Sequence, residues 1–308
     1  MMKAIRILKK KTKPLLTTVE IPSAGPGQIL VKMEYSPINP HDIGSIMGFK
    51  KQSQVFPLTL GVEGIGKIES VGNGVSSSWI GKRVACIASS GTWAEYCIAS
   101  YWNQIPENLD PQVGSCISLA PLTSICLLKE LEGHQAFFLS APTSTIGKQT
   151  IALALKNGKT PVCITNKEDV GNVQSSIVID HSDRSRIEEL SKEHNVLRAV
   201  DLVGGKMATL MLNSLQRYGK LISVGNLSME TIDVDPRQFI FKRKEIIGFN
   251  LYHYLPQYEQ EGLSRLIYEN IEMFKPKISN VFNLSNYIQA LKYYFANFHE
   301  GKVLIKVE

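Results

Sequence analysis

The segment FFLSAPTSTIGKQTIALAL, residues 137–155, decides how the fold of this chain is interpreted. An apolar run meets a loop of small polar residues, and a stretch of helical character follows it. The pattern predicts a strand at 135–140 and a helix at 145–156, which Asn157-Gly158 ends. A strand, a short loop and a helix in this order can hold a nucleoside triphosphate or a dinucleotide, or can form a plain turn.

The loop departs from the triphosphate pattern at two positions. That pattern requires a glycine, four residues, Gly-Lys and then Ser or Thr. Around Gly147-Lys148, Pro142 stands where the first glycine belongs and Gln149 where the hydroxyl belongs. Since proline offers no N–H to a phosphate and an amide is a poor ligand for magnesium, the triphosphate interpretation is disfavoured.

The dinucleotide interpretation requires a helix whose N-terminus faces a pyrophosphate. The usual three glycines are reduced to Gly147, but the loop residues are small enough for close backbone approach. Ser144 and Thr145 can donate hydroxyl hydrogen bonds to phosphate. The loop alone leaves a dinucleotide site and a structural turn equally open.

The composition sets broad limits on function. The chain has 308 residues, 44% of them hydrophobic, and a net charge of +6 that is spread along its length. This length favours two domains, and the diffuse charge does not favour nucleic-acid binding. We find no membrane-spanning run and no secretory signal. The 5 scattered cysteines indicate reduced thiols, so we expect a cytoplasmic protein, with mitochondria as the alternative.

The character of the sequence changes near residue 117. Before it, short strands alternate with turns such as Asn73-Gly74, which predicts a β domain. After it, short apolar strands alternate with helices, which predicts a parallel sheet covered on both faces. The last strand, beyond Gly301, is expected to return to the first domain. We therefore predict a nucleotide-binding type of domain at 121–267 that is inserted into a β domain formed by 1–120 and 268–308.

A series of motifs gives the chain a resemblance to a known family. The chain resembles the zinc-independent medium-chain dehydrogenase/reductase superfamily, in the branch of enoyl thioester reductases and quinone oxidoreductases. This resemblance implies an α/β protein with a Rossmann-type doubly wound parallel sheet domain inserted into a GroES-like β-barrel domain. The motifs are INPHD (38–42), GVEGIGKIESVGNGV (61–75), GKRV (81–84), GTWAEY (91–96), APLTS (120–124), SAPTSTIGK (140–148), DLVGG (201–205), DPRQFIFKRKEIIGFN (235–250) and GKVLI (301–305).

The resemblance also bears on metal binding. Zinc-dependent members of the superfamily carry a cysteine and a histidine at the positions of His41 and Val62. Valine cannot bind a metal, and a tetrahedral zinc site needs three or four protein ligands. We therefore predict no metal, with His41 as a hydrogen-bonded turn residue.

The end of the second strand of the inserted domain bears on the choice of cofactor. NAD-specific domains place a carboxylate there to bind the ribose hydroxyls. Here strand 160–165 is followed by Asn166 and Lys167, which suit a 2′-phosphate. Glu168 and Asp169 come next, and we expect them to face solvent as the first turn of a helix. These residues favour NADPH, although Lys167 is equally well explained as a solvated loop residue.

The resemblance assigns further cofactor contacts residue by residue. Phe249 and Leu251 match positions that flank the nicotinamide, although ordinary core packing explains them equally well. Asp201 is expected to brace a turn rather than to act as a base. The predicted cofactor-binding residues are Asn39, Thr123, Ser144, Thr145, Ile146, Lys167, Gly225, Asn226, Phe249 and Leu251.

The implied reaction is hydride transfer from a nicotinamide to the β-carbon of an α,β-unsaturated carbonyl, followed by protonation of the α-carbon. Enoyl thioester reductases place a tyrosine about two residues after the position of Gly48, where this chain has Phe49 and Lys50. The loss of that tyrosine weakens the case for fatty-acid synthesis and leaves quinones and small enones open. The candidate catalytic residues are Asn39, Lys50 and Tyr35, although Lys50 is also explained as a solvated loop lysine.

Two functional hypotheses follow. The first is an NADPH-dependent reductase of a 2-enoyl thioester, an enone or a quinone, acting without zinc on a small-molecule substrate. The alternative is a non-catalytic relative of the same fold that serves as a binding or assembly protein. The resemblance implies a homodimer, and the sequence predicts no nucleic-acid or membrane partner.

Overall fold

The computed structural model describes residues 1–48, 55–175, 177–257, 260–297 and 299–307. The chain divides into two compact units. Unit 1 comprises Met1–Leu119 and Glu259–Glu308, and unit 2 comprises Ala120–Tyr258. The inserted domain predicted at 121–267 overlaps unit 2, which ends at Tyr258 instead of at residue 267.

The described residues form strands and helices with the following bounds. The strands are β1 (Met2–Ile7), β2 (Leu15–Val19), β3 (Ile29–Pro37), β4 (Leu58–Thr59), β5 (Glu63–Val71), β6 (Arg83–Ala88), β7 (Tyr96–Gln104), β8 (Ala136–Ser140), β9 (Thr160–Thr165), β10 (Ile177–Asp180), β11 (Arg198–Asp201), β12 (Lys220–Ser223), β13 (Glu245–Gly248), β14 (Ile278–Asn283) and β15 (Lys302–Lys306). The α-helices are α1 (Pro40–Met47), α2 (Pro111–Gly114), α3 (Leu119–Glu130), α4 (Thr145–Lys156), α5 (Arg184–Glu193), α6 (Gly205–Ser214), α7 (Arg237–Ile240), α8 (Leu251–Tyr254), α9 (Gln260–Glu269), α10 (Ile271–Phe274) and α11 (Tyr287–Asn297). Short 3₁₀ helices lie at Ser77–Trp79, Lys167–Asn172, Leu255–Gln257 and Leu284–Asn286.

Unit 1 is built on a β barrel. In the described part of the chain its larger sheet has the order β14-β15-β3-β5-β6-β7, and β3 also pairs with β7, which closes the sheet on itself. Inward-facing residues of β3 such as Ile29, Val31 and Met33 are buried in its core. The smaller sheet has the order β2-β1-β4. The predicted β-barrel domain is thereby confirmed.

The last strand returns to unit 1, as the sequence predicted. β15 pairs antiparallel with β3 and parallel with β14. Val303, Leu304 and Ile305 are fully buried, so this strand is an integral part of the barrel. Its first residue, Lys302, is half-buried.

Unit 2 is a doubly wound parallel sheet. In its described residues the strand order is β10-β9-β8-β11-β12-β13, and every pairing is parallel. The chain proceeds outward from β8 in one direction and from β11 in the other. In such sheets the crevice between the two central strands is the point where ligands bind. The predicted Rossmann-type topology is confirmed.

The crossover of the opening segment forms where the sequence predicted it. Strand β8 ends at Ser140, and helix α4 begins at Thr145 and ends at Lys156. Asn157 caps the helix, and Gly158 follows with a φ of 69°, a conformation that suits glycine. Among the described residues, no helix has both the length and the apolar character that crossing a membrane requires.

Candidate functional site

The loop after β8 is held tightly against the first turn of α4. Ala141 has a φ of 45°, and a Cβ atom added to Gly147 would lie 2.3 Å from the Ala141 carbonyl oxygen. A side chain at this position would collide with backbone, which cannot move as a flexible side chain can. Gly147 is therefore required for the packing of the helix onto its own loop.

Ser144 caps α4. Its Oγ accepts a hydrogen bond from the Gly147 N–H at 3.0 Å and donates one to the Ala141 carbonyl at 2.8 Å. Because a hydroxyl carries one hydrogen, Ser144 can donate to a phosphate only by releasing Ala141. Thr145 and Ile146 occupy the first turn, whose N–H groups have no acceptor within a helix. The three predicted contacts thus meet at the positive end of a 12-residue helix, where an anion is favoured.

Asp201 braces the neighbouring turn, as the sequence predicted. The carboxylate is fully buried at the end of β11 and accepts the Ser140 hydroxyl at 2.8 Å. It also accepts the backbone N–H groups of Val203 at 3.1 Å and Gly204 at 2.9 Å. Burial raises the pKa of Asp201, and the hydrogen bond from Ser140 opposes that rise. Every oxygen of this carboxylate is engaged inside the protein, which supports a structural role.

Gly225 and Asn226 follow β12 at the same edge of the sheet. A Cβ atom on Gly225 would lie 2.6 Å from the Leu202 carbonyl oxygen. Gly204 has a φ of 79°, and a Cβ there would lie 2.3 Å from Asn226 Oδ1. The turns after β11 and β12 therefore pack backbone to backbone. Small residues at this edge leave room for a ligand to approach the main chain.

The residues after β9 form the predicted helical turn. Strand β9 ends at Thr165, and a 3₁₀ helix begins at the exposed Lys167. Glu168 and Asp169 lie in its first turn, and Glu168 is exposed. The expectation that these acids belong to a helical first turn is confirmed. Lys167 is exposed, so its side chain is accessible to a 2′-phosphate. Its role in binding the phosphate stays a prediction.

The sequence interpretation missed a carboxylate near Lys167. Asp180 ends β10 and pairs in register with Thr165 of β9. The hydrogen bond from the Ser182 backbone lowers the pKa of Asp180, and the nearby charge of Lys167 acts in the same direction. The His181 Nδ1 atom lies 3.3 Å from an Asp180 oxygen. A cofactor phosphate near Lys167 would therefore also experience the charge of Asp180. Asp180 lies 13 positions after Lys167 in the sequence, and only the strand order shows that the two residues are close.

The remaining predicted contacts of unit 2 are buried. Thr123 lies in α3 and is 5% exposed. Phe249 and Leu251 are 9% and 5% exposed, and the Phe249 ring stacks on Tyr254 with a centroid separation of 4.6 Å. This burial fits the alternative interpretation of Phe249 and Leu251 as packing residues. Their contact with a nicotinamide stays a prediction.

Asn39 is the centre of a buried polar cluster in unit 1. It precedes α1 and is 2% exposed. Its Nδ2 donates to Glu63 Oε1 at 3.1 Å, and its Oδ1 accepts from Lys302 Nζ at 2.6 Å. Its backbone N–H donates to Asp42 Oδ2 at 2.9 Å. We call these four residues, Asn39, Asp42, Glu63 and Lys302, the Asn39 cluster.

The carboxyl groups of the Asn39 cluster are removed from water. Burial raises the pKa of Asp42 to about 7, and the neighbouring Glu63 adds to the rise. Burial also raises the pKa of Glu63, while the ammonium of Lys302 lowers it. Sequence motifs had pointed to the segments around these residues without assigning a role to Asp42, Glu63 or Lys302. Their convergence could not be found from spacing, because they belong to α1, β5 and β15.

The other candidate catalytic residues have separate outcomes. Tyr35 is half-buried on β3, where it pairs in register with Lys306 of β15. Lys50 lies outside the described residues, so its role stays a prediction. Val62, at the position of a zinc ligand in zinc-dependent relatives, is 3% exposed. Within the described ranges, no group of three or more His, Cys, Asp or Glu residues could hold a metal ion.

Comparisons with known proteins agree with this fold. Residues 25–108 match the alcohol dehydrogenase GroES-like domain. A candidate NADPH:quinone reductase from Bacillus thuringiensis superposes with a TM-score of 0.88 at 24% identity, over 99% of this chain and 98% of that chain. A mycobacterial protein solved in complex with NADPH superposes with a TM-score of 0.82 at 22% identity, over 99% of this chain and 100% of that chain. The predicted combination of a GroES-like domain and a Rossmann-type domain is confirmed, and the fold is shared with these structural neighbours.

Relatives known from sequence fall into the predicted branch. The chain is 27% identical over 247 residues to the mitochondrial enoyl-[acyl-carrier-protein] reductase of Arabidopsis thaliana, which covers 74% of this chain and 65% of that protein. It is 25% identical over 308 residues to the quinone oxidoreductase of Sus scrofa, which covers 94% of this chain and 93% of that protein. The match thus spans about two thirds of the Arabidopsis relative and nearly all of the porcine one. The predicted resemblance to enoyl reductases and quinone oxidoreductases is confirmed.

Proposed function

We propose that this chain is an NADPH-dependent reductase that acts without zinc on a quinone or on the activated double bond of a 2-enoyl thioester or enone. The class of enzyme, an oxidoreductase, agrees with the named relatives of both kinds. The observation that carries the proposal is the crossover at 140–148, where a short loop brings the N-terminus of α4 to the central edge of a doubly wound sheet.

The residues of this edge fit a dinucleotide. Gly147 and Gly225 pack closely against backbone, so no side chain of their own covers the main chain at these two positions. The N–H groups of Thr145 and Ile146 lie at the positive end of α4 and suit a pyrophosphate. Gly225 and Asn226 follow β12 at the same edge of the sheet, and we expect them to contact the cofactor.

NADPH is the cofactor supported best. The mycobacterial structural neighbour was solved with NADPH, and the Bacillus thuringiensis neighbour is described as a candidate NADPH:quinone reductase. In this chain Asn166 and Lys167 stand where an NAD-specific domain would place a carboxylate. We infer that Lys167 binds the 2′-phosphate. The nearby Asp180 weakens the attraction and limits how strongly NADPH is preferred.

Zinc does not fit the residues that the chain offers. Val62 has no donor atom, and the carboxylates of the Asn39 cluster already accept hydrogen bonds from Asn39 and from the backbone of Ser118 and Leu119. We infer that the polarity of the site comes from protein hydrogen-bond donors instead of a metal ion.

The proposed chemistry divides between cofactor and protein. A bound nicotinamide supplies the hydride. Asn39 contributes a carboxamide that is hydrogen-bonded to Glu63 and Lys302, which suits a residue that orients a bound ring. The α-carbon of a reduced enone or thioester also needs a proton, and a quinone takes up protons in the same way. Lys50 and Tyr35 are the predicted donors for that step.

The assembly and compartment are proposals of the same kind. Strand β13 ends the described sheet of unit 2, and Ile240 and Phe241 nearby are 66% and 65% exposed. An exposed sheet edge with apolar neighbours favours pairing with a second copy of the chain, so we propose a homodimer. The cytoplasm is the proposed compartment, and mitochondria are the alternative because the enoyl reductase relatives are mitochondrial.

A binding and turnover experiment tests the function. The purified protein is titrated with NADPH and with NADH by nicotinamide fluorescence, and NADPH oxidation is then followed with a quinone, a crotonyl thioester and a small enone. Saturable NADPH binding with turnover of at least one acceptor is expected. Tight binding without turnover of any acceptor would favour the alternative of a non-catalytic relative, and no binding of either nicotinamide would refute both the cofactor and the reaction.

A further inference from the structure

The Asn39 cluster contains three ionisable side chains in a place that water hardly reaches. Glu63 is 0% exposed, Asp42 is 2% exposed and Lys302 is half-buried. Burying a charge is costly unless it is paired and hydrogen-bonded. The burial of three ionisable side chains around Asn39 is therefore not explained by the stability of the fold alone.

Glu63 and Lys302 hold the two ends of the Asn39 carboxamide. Lys302 offers only donors, and an ionised Glu63 offers only acceptors. The carboxamide oxygen must therefore face Lys302, and the amide nitrogen must face Glu63, as the distances of 2.6 Å and 3.1 Å show. The reverse orientation would oppose N–H to ammonium and carbonyl to carboxylate.

The partners of Asn39 are themselves held in place. The second oxygen of Glu63 accepts the backbone N–H groups of Leu119 at 2.7 Å and Ser118 at 3.3 Å. Asp42 holds the backbone N–H of Asn39 at 2.9 Å. Lys302 is therefore the member of the cluster with the most flexible side chain, and its strand β15 is anchored in the barrel core.

We propose that Lys302 is a positioning residue that sets the orientation of the Asn39 carboxamide and thereby fixes the directions of the remaining N–H and lone pair of that group. This inference rests on the proposed function. Lys302 does not contact the reacting atoms, and it acts through Asn39.

The electrostatics of the cluster support this role. The ammonium of Lys302 lowers the pKa of both Asp42 and Glu63, against the larger effect of burial. The other ionisable groups facing the cluster are Tyr294 of α11, whose pKa burial and Asp42 raise to about 12, and Cys116, whose pKa burial raises to about 12. Both are neutral near pH 7, so Lys302 is the cation that favours ionised carboxylates here. Removing Lys302 would raise the pKa of Glu63 further, and a protonated Glu63 could donate to the carboxamide oxygen, which would permit the amide to flip.

The first test compares Lys302→Met with the matched variant Lys306→Met. Lys306 lies on the same strand but is exposed. We measure kcat and KM for NADPH between pH 5.5 and pH 9 with an acceptor that the wild type reduces, together with thermal unfolding. Lys302→Met is expected to lower kcat roughly 100-fold, the size of effect that misplacing a group near the reaction produces. The pH below which kcat falls should be higher in Lys302→Met than in the wild type. Lys302→Arg should recover part of the loss, and Lys306→Met should behave as wild type.

A second variant covers the case in which Lys302→Met does not fold. Lys302→Met combined with Glu63→Gln removes both charges, so no unpaired ion stays buried. The double variant should fold and should keep the low kcat, and the pH below which kcat falls should not shift. Wild-type kcat and an unchanged pH profile in either variant would overturn the proposal.

A readout independent of activity separates this proposal from the proposed function. In a ¹⁵N-labelled protein, the side-chain NH₂ signal of Asn39 is identified by its loss in Asn39→Asp. The pinned carboxamide should exchange slowly in the wild type and at least tenfold faster in Lys302→Met. Equal exchange rates would overturn the positioning role, whether or not the wild type binds NADPH. A wild type that binds no nicotinamide but shows the exchange difference would refute only the proposed function.

Discussion

The central edge of the unit 2 sheet and the Asn39 cluster of unit 1 hold their buried polar groups in different ways. At the sheet edge, Ser140 and Asp201 are satisfied largely by backbone N–H groups of the turns that follow the strands. In the Asn39 cluster, an amide, a carboxylate and an ammonium satisfy one another directly. The first arrangement depends on backbone shape, and the second depends on the balance of charge.

This difference determines how each region should respond to change. Where backbone supplies the partners, removing an acceptor or adding a Cβ atom leaves groups that cannot rearrange. Where ionisable side chains supply the partners, as in the Asn39 cluster, a change of pH alters their protonation and so can change the hydrogen bonds without any mutation. Four variants test whether the two regions respond in these different ways.

The largest effect is expected for Asp201→Ala at the sheet edge. The substitution leaves the Ser140 hydroxyl and the N–H groups of Val203 and Gly204 without their acceptor. Each buried donor left unsatisfied costs about 1–3 kcal/mol, so we expect unfolding in urea to show a loss of about 4 kcal/mol. Asp201→Asn keeps one acceptor oxygen and should lose about half as much. A loss below about 1 kcal/mol for Asp201→Ala would contradict the bracing role.

Gly147→Ala tests the close packing of α4 on its loop. The added Cβ would lie 2.3 Å from the Ala141 carbonyl oxygen and 2.9 Å from Pro142 Cα. Because both contacts are backbone, we expect a loss of about 3 kcal/mol and a weaker affinity for NADPH in fluorescence titration. Gly171→Ala is the control, since a Cβ there would meet nothing within 4 Å. Equal stability of the two variants would show that the loop can shift to accommodate the added Cβ atom.

Asp42→Asn tests the electrostatic character of the Asn39 cluster. The pKa of Asp42 is raised from 3.8 to about 7 on folding, so the folded protein holds a proton that the unfolded chain has already lost. The stability from this group is full below pH 4 and is lost as the pH rises through 7. Between pH 5 and pH 8 the wild type should therefore lose about 2–3 kcal/mol more than Asp42→Asn does. Urea unfolding at both pH values measures the difference, and parallel pH dependence of the two proteins would exclude the raised pKa.

The smallest effect is expected for Lys167→Glu at the exposed end of β9. The substitution sets a carboxylate beside the expected 2′-phosphate and adds to the charge of Asp180. We expect NADPH affinity to fall about tenfold, or about 1.4 kcal/mol, with NADH affinity unchanged. Lys192→Glu makes the same charge change in the last turn of α5, at the opposite end of the sheet, and should affect neither. Equal effects on both nicotinamides would refute the assignment of the 2′-phosphate.

Contiguous segments allowed much of unit 2 to be predicted. The alternation of apolar strands and helices gave β8, α4 and β9 with bounds that the structure reproduces within one residue. Asp201 was correctly predicted as a brace, because an acid before a Val-Gly-Gly turn has backbone donors close by in the chain. Asp180 was missed, since its nearness to Lys167 arises from the pairing of β9 with β10.

The two-domain plan, the parallel sheet with its crossover at 140–148, and the likeness to enoyl reductases and quinone oxidoreductases could all be predicted from the amino-acid sequence. These follow from hydrophobic periodicity and turn residues, which act over a few positions. The meeting of Asn39, Glu63 and Lys302 in one polar cluster could be seen only in the folded chain. The barrel brings α1, β5 and the last strand together, and charges so far apart in the chain affect one another only after burial has removed the water between them.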